Sequence, residues 1–366
     1  MISFADTLEK LKSTSCATPE ELAFLLGEED PAKRQSLYDA AYAVKVRNCG
    51  REVVLRGLIE CSNFCTRDCL YCGIRKSSRT MHRYTMSVEE ICAAAKLAWE
   101  FGYGSVVLQA GERRDATFIE FIGKAVRRIK KESDGALGIT LSLGEQSLET
   151  YRYWFSCGAH RYLLRIESSN PALYAKIQPP GDSHAERLVA LQRIREAGYQ
   201  LGTGVMIGLP HQTLEDLAGD LLFFRTLDVD MVGMGPYIVQ HDTPLAAEFP
   251  DFEEKRSHQL EMGLKMIALL RLLMPDINIA STTALQSLAP DGRERGILAG
   301  ANVIMPNVGD CACKSDYQLY DGKAGLDENA PESRRALEES LKRIGASIAY
   351  GKWGDSRRFA KRNAMP

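Results

Sequence analysis

Apolar residues recur along this chain in short, nearly unbroken runs, at 53–60, 105–110, 138–143, 162–167, 202–207, 230–234, 277–282 and 302–305. Runs of this length without strict alternation read as strands buried on both faces. Between them lie helical segments with recognisable starts. Ser87-Val88-Glu89-Glu90 is a capping box opening a helix that stops near Gly102. Asn170-Pro171 supplies an N-cap and a proline at the first helical position, and a further helix begins near Asp182. Thr213 caps 214–227, where Leu217, Leu221, Leu222 and Phe224 mark one face. Segments 252–274 and 332–344 read as two more helices. Alternating strands and helices predict an α/β fold with a parallel sheet and right-handed crossovers. Eight such units predict a complete (β/α)8 TIM barrel over 51–310; an open doubly wound sheet is the alternative. Residues 1–50, with the capping box Thr18-Pro19-Glu20-Glu21, read as a helical N-terminal cap, and 311–366 as a loop and helix closing the barrel.

Barrels carry their chemistry at the C-terminal ends of the strands. The positions ending these runs are therefore informative. A cysteine cluster follows the first. Gln109 and Glu112 close the second, Thr140, Ser142 and Glu145 the third, Arg165 and Glu167 the fourth. Met206 and Gly208 end the fifth, Thr282 and Thr283 the seventh, Met305-Pro306-Asn307 the eighth. Polar groups from several strands converge on one mouth.

The cysteines change the picture most. Of 10 in the 366 residues, four crowd between Cys61 and Cys72. No basic n-region precedes an apolar stretch at the N-terminus, so the expectation is a reducing, cytoplasmic setting and metal binding. Cys65, Cys69 and Cys72 form a C-x3-C-x2-C loop with Tyr71 before the last cysteine. Three thiolates on one tight loop can ligate three irons of a [4Fe–4S] cube. The fourth iron is then open to the amino and carboxylate groups of S-adenosylmethionine (SAM). A zinc site or a closed electron-transfer cluster would recruit Cys61 as a fourth ligand; the loop's place after the first strand argues against both. The net charge of −2 gives no attraction to nucleic acid or anionic lipid, and the apolar runs are too short to span a bilayer.

The motif with Leu70-Tyr71-Cys72-Gly73 resembles the radical SAM superfamily, in particular the branch of biotin synthase, methylornithine synthase and the [FeFe]-hydrogenase maturase HydE. HydE is the nearest likeness. It is carried by Val107-Leu108-Gln109-Ala110-Gly111-Glu112, Thr140-Leu141-Ser142-Leu143-Gly144-Glu145, Gly300-Ala301-Asn302-Val303-Ile304-Met305-Pro306-Asn307 and Tyr317-Gln318-Leu319-Tyr320. The resemblance implies one SAM-bound [4Fe–4S] cluster on Cys65, Cys69 and Cys72. It implies that Arg187 pairs the SAM carboxylate and Glu167 holds a SAM polar group. Tyr71 is expected near the adenine, and Glu112, Ser142 and Met206 as further cofactor contacts. Gln109, Thr140, Arg165, Thr282, Thr283, Met305, Tyr317 and Tyr320 would line the substrate cavity. The implied task is assembly of the hydrogenase H-cluster, the adenosyl radical acting on a small organometallic iron–cysteine or amino-acid-derived precursor. An electron donor such as a ferredoxin or flavodoxin, and other maturation proteins, are the implied partners. Residues 321–332 lack the second cysteine set that some family members carry, so no peripheral cluster is expected; Cys311-Ala312-Cys313 stands instead after the eighth run.

Two rivals remain. A biotin-synthase or methylornithine-synthase type acting on a small metabolite is one, although Cys92 and Cys157 fall on predicted helices. A non-catalytic iron–sulfur carrier or scaffold is the other. Gly202-Thr203-Gly204 lies inside a strand without a third glycine, which rejects a dinucleotide fingerprint and leaves close approach to a ligand, or plain packing. Arg75, Lys76, Arg79, His82 and Arg83 make a mildly basic run that reads as solvated surface. The six histidines show no ligand spacing.

Overall fold

The structure is a computed structural model describing residues 2–250, 256–309, 314–324 and 331–364. Its strands are β1 (Glu52–Ser62), β2 (Ser105–Ala110), β3 (Gly138–Ser142), β4 (Arg161–Leu163), β5 (Gln200–Thr203), β6 (Met206–Ile207), β7 (Met231–Val232), β8 (Gly235–Pro236), β9 (Asn278–Ile279), β10 (Val303–Ile304) and β11 (Ser347–Ile348). Eight of them form a curled sheet in the order β10-β1-β2-β3-β4-β5-β7-β9. Every pairing in it is parallel, as helical crossovers require. The end strands β9 and β10 approach each other through a bridge between Ala280 and Val303. There Asn302 N–H donates to the Ile279 carbonyl and Ser281 N–H to that of Val303. β11 pairs with the start of β1.

Helix starts follow the capping chemistry. Ser87, Thr18 and Thr213 each accept from the N3 backbone of helices Val88–Glu100, Pro19–Leu26 and Leu214–Thr226, and all three boxes close reciprocally. Asn170 caps Pro171–Ile177, and Ser183 caps His184–Glu196. Three helices, Phe4–Thr14, Pro19–Leu26 and Pro31–Cys49, occupy the N-terminal fifty residues. Helices Arg256–Leu273 and Pro331–Arg343 stand where 252–274 and 332–344 were expected; residues 252–255, like Cys311 and Cys313, lie outside the described residues.

Runs four to six differ from the expectation of single strands. β4 stops at Leu163, and the fifth and sixth runs each break into two short strands. Thr203 is the reason at β4–β5: its hydroxyl accepts from Ile166 N–H and donates to the Leu164 carbonyl, taking the place of ladder bonds. Glu167 then adopts φ +67°, a left-handed conformation uncommon for a side chain of its size. A Cβ on Gly204 would lie 2.1 Å from the Gly233 carbonyl oxygen. The Gly202-Thr203-Gly204 glycines thus serve backbone packing between neighbouring strands, not approach to a ligand.

The C-terminal chain reaches both ends of the sheet. Residues 314–324 cross the C-terminal strand ends, where Lys323 pairs with Glu60 and Gly73 N–H donates to the Leu319 carbonyl. Residues 353–362 cross the opposite end. There Arg161 pairs with Asp355, Arg56 donates to the Gly354 carbonyl, and Arg362 pairs with Asp228 and Asp230. So the last segment is more than the single loop and helix expected from the sequence: its described residues include a short 3-10 helix, two α-helices and a strand.

Candidate active site

The cysteine loop leaves β1 at its C-terminal end and folds back against the ends of the neighbouring strands. Gly111, just after β2, permits the contact: a Cβ there would sit 2.3 Å from the Phe64 carbonyl oxygen and 2.7 Å from Cys65 Cβ. Thr66 fastens the same junction through backbone and hydroxyl to the Glu112 carbonyl, at 2.8 and 2.9 Å. Gly73 plays the matching role on the far side, with the Gln318 carbonyl 2.1 Å from where its Cβ would be. The three thiols are partly buried. Burial pushes Cys65 up, Cys69 up to about 12 and Cys72 well above its ordinary range. Nearby Arg187 and Arg67 oppose the shift at Cys69.

This donor set fits an iron–sulfur cluster. Backbone N–H groups of Arg67 and Glu112 aim at Cys65 Sγ from 3.4 and 3.3 Å, and that of Ile74 at Cys72. Such donors stabilise thiolate sulfur bound to iron. Among the described residues no three His, Cys, Asp or Glu side chains converge on one ion position. Three thiols spread along a loop suit a cube in which each binds a different iron. Cys61 is fully buried in the apolar core, within β1 rather than on the loop.

Next to the loop lies an ion-pair network that the sequence did not reveal. Arg187 Nε stands 2.6 Å from Glu145 Oε1, and another Arg187 nitrogen donates to the Arg165 carbonyl at 3.2 Å. Burial works against the Arg187 charge, but Glu145, Tyr174, Tyr71 and Glu112 together outweigh it and push the guanidinium above its ordinary range. Arg67 lies 2.8 Å from Asp182 and 3.7 Å from Glu145. Arg114 reaches Glu112 at 2.8 Å and Glu145 at 3.2 Å. Glu112 also accepts from Glu145 N–H at 2.9 Å, beneath Gly144, whose missing Cβ leaves the room. Arg67, Arg114 and Asp182 were not singled out from the sequence, and Glu145 only as a strand-end residue. Glu112 apart, which is two positions from Arg114, their partners are 30 to more than 100 positions away, so no local spacing signals them.

Arg165 and Glu167 do pair, at 3.0 Å, the salt bridge their strand-end position allowed. Glu167 keeps its left-handed backbone because its N–H donates to Gly204 and its carbonyl accepts from Met206, both at 3.0 Å. A backbone outlier held by two ladder bonds at a strand end marks a positioned side chain. Tyr71 packs with Met206, Leu173 and Tyr237 in one apolar cluster. Its phenol is pushed well above 10 by burial, reinforced by the Glu167 carboxylate. An apolar wall of this kind beside ion-paired polar groups suits a molecule like SAM, with a flat base at one end and an amino acid at the other.

A second group lies deeper in the mouth. Tyr317 is buried, hydrogen-bonded to Gln109 and close to Cys72. Tyr320 is pushed up to about 12, first by burial, with Ser287, Glu60, Arg293 and Arg165 around it. Arg293 donates to Thr283 at 3.4 Å, and the buried Thr282 hydroxyl has no hydrogen-bond partner among the described residues. Ser142 ends β3 in register with Gln109, and Met305 is half-buried after β10. Thr140 alone stands apart: it accepts from Arg161 Nε at 3.0 Å, toward the N-terminal end of the strands. Glu60, Lys323 and Arg293 join this group without having been signalled by the sequence.

A three-cysteine loop at the C-terminal edge of a curled parallel sheet, flanked by buried carboxylates and arginines, defines a radical SAM protein. The radical SAM superfamily model indeed matches residues 59–224. The chain is 43% identical to the [FeFe] hydrogenase maturase subunit HydE of Thermotoga maritima, over 96% of this chain and 97% of that protein. It therefore belongs to the HydE family of radical SAM enzymes. The 3-methylornithine synthase of Methanosarcina acetivorans is 26% identical over 92% of this chain and 91% of its own length. The crystal structure of methylornithine synthase superposes with a TM-score of 0.79 at 26% identity, covering 94% of this chain and 98% of that one.

Proposed function

We propose that this chain acts in assembly of the [FeFe]-hydrogenase H-cluster, using a SAM-derived radical on a small organometallic or amino-acid-derived precursor. Cys65, Cys69 and Cys72 hold a [4Fe–4S] cluster, and when bound it supplies the electron that splits SAM into methionine and a 5′-deoxyadenosyl radical. The observation carrying this reading is the meeting of the cysteine loop with the Arg187–Glu145 and Arg165–Glu167 pairs from separate strand ends. Arg187 clamps the SAM carboxylate with the guanidinium that Glu145 holds in place. Glu167 orients a polar group of SAM, while Tyr71 and Met206 form the adenine wall. Glu112 and Ser142 complete the cofactor contacts. Gln109, Arg165, Thr282, Thr283, Met305, Tyr317 and Tyr320 line the precursor's cavity, and the unpartnered Thr282 hydroxyl is available to it. Thr140 acts indirectly, by fixing Arg161 beneath that cavity.

The eight strands form a complete (β/α)8 barrel in this reading, supported by the Ala280–Val303 bridge between the end strands. Residues 1–50 are its N-terminal cap and 311–366 its closure. Burial of Tyr317 over the mouth excludes water from the reacting centre. A cytoplasmic setting and an external protein electron donor complete the proposal; no helix among the described residues is long and apolar enough to cross a membrane. The test is anaerobic reconstitution, reduction with dithionite and assay of 5′-deoxyadenosine with SAM. Production that vanishes in Cys65→Ala is expected. A full cluster that cleaves no SAM, with or without iron–cysteine precursors, would return the chain to the carrier reading.

A further inference from the structure

We propose that an acidic, one-electron carrier protein docks over the Cys65 edge of the site, on a patch centred on Phe64 and flanked by Arg113, Lys76 and Arg79. The proposal rests on the radical SAM reading and goes beyond it by locating where the electron enters.

The three cluster ligands are not equally enclosed. Cys72 sits under Gly73 and the 314–324 segment, with Tyr317 close by. Cys65 instead lines an open depression of about 340 Å³ together with Phe64, Thr66 and Arg113. The adjoining depression, about 520 Å³, is lined by Thr66 and Lys76 and by three carboxylates, Asp68, Glu112 and Asp182, each facing an arginine: Arg75, Arg114 and Arg67. Phe64 is 44% exposed although it directly precedes a ligand to the cluster. Its backbone is pinned by Gly111, so the side chain stands in water by construction rather than through loop freedom. An exposed aromatic next to a cluster ligand is what a transient partner would cover.

Charge specifies the partner. Residues 73–84 contain Arg75, Lys76, Arg79 and Arg83 and no acidic residue, on a chain whose net charge is −2. Arg83 is spent on backbone carbonyls of Asn63, Ile74 and Arg75, and Arg75 lies near Asp68. Lys76 and Arg79 are exposed, and among the described residues neither has an ion-pair partner. With Arg113 paired to Asp115, the cations left to attract an acidic surface and raise its encounter rate are Lys76, whose depression shares Thr66 with that of Phe64, and Arg79, three residues on in the same segment. A patch of this extent suits the small interfaces of redox encounters, below about 1,200 Å². The step is a single electron leaving the carrier, which is oxidised by one, and entering the cluster, reduced by one. No bond forms or breaks at the patch.

The experiment uses the reconstituted holoenzyme and an acidic flavodoxin. Calorimetry with the oxidised flavodoxin, at 50 and 300 mM salt, is paired with 5′-deoxyadenosine formation driven separately by reduced flavodoxin and by dithionite. Wild-type binding is expected to weaken with salt. Lys76→Glu/Arg79→Glu is expected to weaken low-salt binding by about tenfold or more and to cut the flavodoxin-driven rate likewise, with the dithionite-driven rate unchanged. Phe64→Ala is expected to weaken binding about threefold to tenfold at both salt concentrations, and Lys76→Arg/Arg79→Lys to bind as wild type. Unchanged affinity in the charge-reversed and Phe64 variants overturns the proposal, as does wild-type protein that does not bind flavodoxin. Equal loss with both reductants also overturns it, by assigning the residues a structural role. Absence of dithionite-driven SAM cleavage in the wild type would instead strike the radical SAM reading, whatever the binding data show.

Discussion

Arg187 holds the buried Glu145 carboxylate and the Arg165 carbonyl at once. Arg187→Met removes the clamp proposed for the SAM carboxylate and, among the described residues, leaves Glu145 with Arg67 and Arg114 as its ion-pair partners. SAM affinity measured by calorimetry is expected to fall at least about tenfold with iron content unchanged, and stability to fall by about 1–3 kcal/mol. Asp220 makes a separate prediction about pH. Fully buried on helix Leu214–Thr226, it accepts from the Ser169 N–H and hydroxyl, and burial raises its pKa to about 7. A carboxyl raised on folding is most stabilising while protonated. Its contribution is complete below about pH 4 and is lost as pH rises through about 7. Asp220→Asn keeps the acceptor and cannot ionise. Thermal melts should show wild type losing about 2 kcal/mol relative to the variant by about pH 8.5, with no relative change below about pH 4. A gap that is constant with pH would show that Asp220 does not titrate there.

Between elements, two glycines set how closely the cysteine loop can be gripped. Gly111→Ala places a methyl group against the Phe64 carbonyl and Cys65, so either the loop or the end of β2 must shift. Iron bound after reconstitution is expected to drop by about half or more, with the circular dichroism of the sheet and helices retained. At the other end of the strands, Arg56 and Arg161 are buried in the sheet's interior, and burial lowers Arg161 to about 10. Asp355 is the carboxylate that answers Arg161, and its own carboxyl is held well below the usual range: burial opposes this, but His160 and Arg161 outweigh it. Asp355→Ala is therefore expected to cost about 1–3 kcal/mol in a denaturant titration near neutral pH, the half-exposed carboxylate being partly screened. The wild-type advantage should shrink as pH falls below about 4, where the unfolded-state carboxyl is already protonated.

Across the whole molecule, the C-terminal chain is tied to both ends of the sheet, by Lys323 to Glu60 at one and by Arg362 to Asp228 and Asp230 at the other. Residues more than 200 positions apart therefore meet at the mouth, Gln109 beside Tyr317 being the direct case. Loss of the Lys323–Glu60 pair should loosen the mouth without touching the cluster loop. Lys323→Ala is expected to retain full iron content while hydrogen exchange at 317–321 quickens by about tenfold. Unchanged exchange would mean that Tyr317 packing alone seats the segment.

What was legible in the sequence was what neighbours in the chain decide. Caps at Ser87, Thr18 and Thr213 need only three residues, and all close as read. The cluster motif was equally legible, because Cys65, Cys69 and Cys72 lie within eight positions on one loop. Strand periodicity gave the parallel α/β order, since strands buried on both faces stay apolar throughout. The breaks after Leu163, Thr203 and Val232 were not legible, because they depend on Thr203 bonding across to Leu164 and Ile166 and on Gly204 meeting Gly233. Nor were the partners of Arg187, Arg67 and Glu60, which lie on other strands and loops. The sequence by itself determined which chemistry the chain carries, since iron ligation needs only three thiols on a short loop. Only the tertiary structure decided which charges meet, which of them are buried, and which cysteine lines an open depression, because those depend on the order in which distant strands lie side by side.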